Sequence, residues 1–153
     1  MKKWLAIATA IGSVTACGGG SSPTAATPAA APANIAGPYS ANIIASSTCS
    51  ANLPTATRSL GFLATITQTG AAVQVQLVAH SPGAPSVTVS GTVSGQTVTF
   101  PSFSLSDTMG GGAALVASGN ASVGANGSIT GTLSGTYQTP SGSSCNAANH
   151  QLE

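Results

Sequence analysis

The chain has 153 residues, of which 42% are hydrophobic, 4% aromatic and only 3% charged. That length gives room for one compact domain with a modest core. A formal net charge of +1 provides no electrostatic footprint for nucleic acid, where phosphate neutralisation by Lys and Arg supplies most of the affinity. It also removes any polybasic attraction to anionic lipid headgroups, so attachment to a membrane would need a covalent or inserted apolar group.

The N-terminus begins with Lys2 and Lys3, continues through an apolar run over residues 4–14 and reaches small residues before a cysteine. The run is well short of the roughly 20 residues that cross a hydrocarbon core, so it reads as a secretion signal and not as a spanning helix. Its last residues, Val14-Thr15-Ala16-Cys17, resemble the lipobox of bacterial lipoproteins. The resemblance implies a diacylglycerol on the Cys17 thiol, cleavage before that residue and further acylation of the new amine. Two or more acyl chains would anchor the protein stably in the bilayer. Gly18, where family members retained at the inner membrane carry Asp, implies the outer membrane of a Gram-negative cell. The chain then divides into a signal peptide (1–16), a lipidated tether (17–35) and a β domain (36–153). The tether is Gly, Ser, Pro, Ala and Thr with little to bury, a composition expected to stay disordered. Loss of the leader would leave Arg58 against Asp107 and Glu153, a mature chain close to neutral.

Three cysteines are an odd number for an exported protein. If Cys17 carries lipid, Cys49 and Cys145 remain as a disulfide pair in an oxidising compartment. They lack the C-x-x-C spacing and the flanking charge that would lower a thiol pKa for redox chemistry.

From residue 36 onward apolar residues recur with a period of two between turn signals, which predicts an all-β domain. Tyr39, Ala41, Ile43 and Ala45 share one face of a first strand, and Leu60, Phe62, Ala64 and Ile66 share one face of a second. Thr69-Gly70 turns the chain into Val73, Val75 and Leu77, and the Ser81-Pro82-Gly83 and Pro85 cluster breaks it again. Val87, Val89, Gly91 and Val93 follow, then a turn at Ser94-Gly95. Val98 and Phe100 lie on even positions but Phe103 and Leu105 on odd ones, a slip that predicts a bulge or edge at Pro101-Ser102. After the glycines at 110–112, Asn126-Gly127 predicts a type I′ hairpin joining Ala121 and Val123 to Ile129, Leu133 and Tyr137. A last short strand is expected over residues 149–152. The fold expected is an antiparallel meander of about seven or eight strands, a small barrel that resembles calycin-like barrels in architecture, with a two-sheet sandwich as the alternative.

No catalytic constellation is legible. Paired carboxylates for acid/base work and a G-x-S-x-G elbow are both missing from the sequence. His80 and His150 read as loop-exposed residues, without Cys, Asp or Glu at metal-ligand spacing, so no metal and no cofactor is expected. The glycines at 110–112 lack the Lys and helix of a phosphate loop, and the sequon-like Asn120-Ala121-Ser122 and Asn126-Gly127-Ser128 read as accidental in a bacterial chain. Arg58 reads as exposed or paired with Asp107, with an anionic ligand as the sharper alternative. Two functions remain: a non-catalytic structural or interaction role in the envelope, slightly favoured, with the bilayer and an envelope protein as partners, or a barrel that binds a small apolar ligand. What separates them is whether the wall near Gly91, Gly131 and Gly135 leaves a cavity.

Overall fold

A computed structural model describes residues 30–80, 86–107, 112–139 and 141–153 of the chain. Among the described residues there are nine strands: β1 (Gly37–Ile44), β2 (Ser59–Thr69), β3 (Ala72–Ala79), β4 (Ser86–Ser94), β5 (Thr97–Phe100), β6 (Phe103–Asp107), β7 (Gly112–Val123), β8 (Ile129–Gln138) and β9 (Ser144–Leu152). Two short 3-10 turns, Ser47–Ala51 and Thr55–Thr57, connect β1 to β2. The leader, the lipobox Val14-Thr15-Ala16-Cys17 and the start of the tether lie outside the described residues.

Every pairing is antiparallel, and the order β5-β4-β3-β2-β1-β9-β8-β7 closes on itself through β5 and β7. This is the predicted meander, resolved as a closed barrel of eight strands with β6 as an additional strand on β7. The seam between first and last strands is held by Ile43 against Leu152 and Ile44 against Gln151, and by reciprocal backbone bonds between Asn42 and Glu153 of 2.8 and 3.0 Å. Closure through β5 and β7 covers edges that would otherwise lie open, which suits strands this poor in charged gatekeepers, while β6 pairs with β7 alone.

Alternation is clean where it was read from the sequence. Leu60, Phe62, Ala64 and Ile66 of β2 are buried, as are Val73, Val75, Leu77 and Ala79 of β3, while the residues between them face outward. The slip at Pro101-Ser102 is present too. Proline lacks a ladder donor, and the strand breaks there. Both halves still pair with β7 in one register, Phe100 opposite Gly119 and Phe103 opposite Val116. β7 compensates with its own irregularity between Val116 and Ser118 against β8, so the two neighbours change face together.

The Asn126-Gly127 turn differs from the type I′ expectation. Among the described residues none other than glycine has a positive φ, so Asn126 is not in the left-handed region that type I′ demands. Instead Gly127 donates to the Gly124 carbonyl at 2.9 Å, Gly124 donates to Ser128 at 2.8 Å, and Gly127 alone takes a φ of +80°. This is a type I turn followed by a left-handed glycine, the three-residue hairpin.

Candidate functional site

The two ends of the barrel are closed by different chemistry. At one end, residues around the 3-10 turns carry Cys49 to Cys145 at the start of β9, with a Cα separation of 5.6 Å and the disulfide formed, within the range a disulfide spans. Leu53, Leu60, Leu105 and Tyr137 are almost fully buried and fill this half. Arg58 braces the turns: its Nε donates to the Leu53 carbonyl and a terminal nitrogen to the Ser50 carbonyl, both at 2.8 Å. The guanidinium is thus a local staple for backbone carbonyls that a 3-10 turn leaves unpaired. The side chain of Asp107, its suggested partner, lies outside the described side chains.

His150 corrects the sequence reading. It was expected in an exposed loop; it is 3% exposed, inside β9, which runs nine residues instead of the short strand expected. Ser46 N–H donates to its Nδ1 at 3.0 Å, which places the ring proton on Nε2, and Nε2 donates to the Gly135 carbonyl at 3.0 Å. Both nitrogens are therefore consumed by backbone groups of distant segments. Ser46 Oγ bonds Asn149 Oδ1 at 2.7 Å and Thr48 Oγ1 at 2.9 Å, not the imidazole, so the geometry of a serine activated by a histidine base is not formed. His80 is exposed just past β3. Among the described residues no three His, Cys, Asp or Glu side chains gather as a metal site.

The opposite end is covered by residues 33–36, of which 33–35 were assigned by composition to the tether. Ala33 N–H donates to Gly95 O at 2.7 Å. Gln68 then clamps the segment from both sides, its Oε1 accepting from Ile35 N–H at 2.8 Å and its Nε2 donating to Ala33 O at 2.9 Å. Tyr39 OH donates to the Ile35 carbonyl at 3.0 Å, and Ile35 itself is 1% exposed. A lone isoleucine amid Ala, Pro and Gly was the signal available in the sequence, and it marks the lid.

Between these closures the barrel interior contains a cavity of about 330 Å³. Its wall is Phe62, Ile66, Val75, Leu77, Val89 and Phe100, together with Tyr39, Ala41, Ile129 and Leu152. An eight-stranded barrel is just wide enough for its side chains to fill or to hold one small ligand. Here Ala41, Ala64, Val75 and Val89 project too little to meet in the middle, whereas Tyr137, His150 and the leucines fill the disulfide end. The volume falls at the lower end of the range for ligand pockets.

The glycines do not create this space. A Cβ on Gly135 would fall on the Leu115 carbonyl oxygen, and one on Gly131 on the Asn120 carbonyl and Ala121 backbone. On Gly91 it would come within 2.9 Å of the Phe100 ring and the Thr99 carbonyl. They permit neighbouring strands to bend sharply against one another, as glycine kinks do in closed barrels, while the cavity lies beside them behind small side chains.

Comparison with known protein families, with curated proteins and with solved structures found no match. What defines the chain is its architecture: a small, closed, antiparallel β-barrel with a disulfide at one end and an apolar cavity inside.

Proposed function

We propose that this protein is a non-catalytic binding module of the bacterial envelope whose barrel interior holds one small apolar molecule. The observation that carries the reading is the cavity, about 330 Å³ in a domain otherwise packed at both ends. Protein interiors leave few voids larger than a water molecule. Space for about eleven waters, at about 30 Å³ each, behind an almost wholly apolar wall favours an occupant without hydrogen-bonding groups. The balance thus moves from the interaction role favoured by composition to the binding alternative. The envelope address rests on the basic leader and the Val14-Thr15-Ala16-Cys17 motif, which give a lipid-anchored protein facing apolar envelope constituents. The non-catalytic part of the reading is supported by His150, whose two ring nitrogens are both engaged by backbone.

A Cys17→Ser full chain, titrated with the neutral fluorophore N-phenyl-1-naphthylamine, tests it. One saturable site with enhanced emission is expected. Ala64→Phe should abolish the signal without loss of β circular dichroism, because Ala64 is buried in β2 and lines the cavity. Equal signals from the two proteins would refute interior binding.

A further inference from the structure

The lid formed by residues 33–36 is held differently from the strands it covers. The ladder between β1 and β2 ends with Gly37 opposite Ile66. Two residues further on, Ile35 N–H bonds the Gln68 side chain in place of the β2 backbone. The segment then leaves the wall and reaches Ala33, whose N–H donates to Gly95 in the turn between β4 and β5. In the ring β1-β2-β3-β4-β5-β7-β8-β9 that turn stands across from β1, so the lid is a strap laid over the barrel end. Beside that end Val73, Val93 and Val98 each lie one residue in from the end of their strand, yet they are 2%, 2% and 0% exposed. Side chains at an uncovered barrel end would face water. Ile35 is packed in the same core as these valines and is the plug of the strap.

We infer that this strap is the gate of the cavity: a small apolar molecule enters and leaves when residues 33–36 lift from the barrel end, and Gln68 is the latch. This deepens the binding-module reading and rests on it. The cavity reaches toward the strap, since Ile66 and Val75, which line it, are the next inward positions after Gln68 and Val73. The strap has no ladder. Besides the lone backbone bond of Ala33, it is held by the Gln68 amide, which binds both Ile35 N–H and the Ala33 carbonyl, and by Tyr39 OH on the Ile35 carbonyl. Segments held by so few bonds are the ones that open locally while the rest of a fold stays intact. The other end offers no such element, because its turns are tied to β9 by Cys49–Cys145 and sit over buried Leu53 and Leu60. Tyr39 joins gate and cavity, its ring in the lining and its hydroxyl on the strap. A gate that must open for passage in either direction scales entry and exit alike and leaves the equilibrium affinity where it was.

Stopped-flow fluorescence of N-phenyl-1-naphthylamine with the Cys17→Ser chain, paired with NMR measurement of amide exchange at position 35, tests the gate. Gln68→Ala removes two strap bonds. At about fivefold per bond lost, association and dissociation should both quicken about 25-fold, with the dissociation constant unchanged and amide exchange at position 35 rising by a like factor. Ile35→Ala, which shrinks the plug, should quicken both rates by about thirtyfold or more. Gln74→Ala, on the outward face of β3, should keep the parent rates. If exchange at position 35 quickens in either strap variant while both ligand rates stay at the parent values, the gate is overturned and the binding module stands. Faster dissociation with unchanged association would make the strap part of the wall around the bound molecule, and overturns the gate as well. Unchanged exchange at position 35 in both variants refutes the latch and the plug. Failure of the fluorophore to bind the parent and all three variants removes the binding module itself.

Discussion

Removing the Cys49–Cys145 disulfide should cost this barrel a large part of its stability. The bond links residues separated by 96 positions and so spans most of the domain. In the chain-entropy description, closing a loop of that length restricts the unfolded ensemble by about 4.7 kcal/mol at 25 °C. Small domains have only about 5–15 kcal/mol in total. Cys49 is completely buried and Cys145 nearly so, so alanine at both sites also removes packing and adds to the loss. With a urea dependence of about 2 kcal/mol per molar, the unfolding midpoint of the Cys49→Ala/Cys145→Ala protein should fall by about 2 M or more. Wild-type protein unfolded in the presence of a reductant should show a similar fall, which separates the cross-link from the substitutions. A loss below about 1 kcal/mol in both experiments would refute the reasoning, since a loop this long could then not be constraining the unfolded chain as the entropic account requires.

Other perturbations probe the remaining elements. His150→Phe leaves the Ser46 N–H and the Gly135 carbonyl without partners in a buried place, so denaturant unfolding should show a loss of about 2–6 kcal/mol at about 1–3 per orphaned group. Gly135→Ala puts a Cβ on the Leu115 carbonyl, where the obstacle is backbone; the thermal midpoint should fall steeply or soluble expression should fail, and a neutral result would show that β7 and β8 can separate without penalty. Cys17→Ser should move the protein from the membrane fraction to the soluble fraction, and a variant that still sediments with membranes after a salt wash would remove the lipid anchor from the account.

The period-two pattern carried the strand faces faithfully because one face of each strand is buried and the other solvated, which is the condition under which alternation is informative. The phase slip at Pro101-Ser102 was legible for the same reason. Closure was not. A barrel and a sandwich share the same alternation, and the deciding contact, Asn42 with Glu153, joins the two extremes of the domain. His150 was misread because its neighbours Asn149 and Gln151 are polar and its partners Ser46 and Gly135 are distant in sequence; nothing local marks a histidine whose two nitrogens are both bonded inside. The Asn126-Gly127 pair announced a hairpin correctly but not its length, since the turn begins at Gly124, two residues earlier.

The lining residues of the cavity illustrate the same limit. Ala41, Ala64, Val75 and Val89 were each placed on an inward face by alternation, yet the cavity follows only from bringing these small side chains opposite one another around a closed ring. Ile35 and Gln68 complete the enclosure through hydrogen bonds that join the segment before β1 to the end of β2, a pairing without a periodic signal.

The claim that the barrel interior carries a ligand is tested most directly by native mass spectrometry of the full protein isolated from its own host cells, before and after unfolding. The account predicts a single adduct retained by the folded protein beyond its covalent mass, released on unfolding and missing from Ala64→Phe. A folded protein that shows only its covalent mass, and that gains no adduct after incubation with apolar envelope extract, would contradict it.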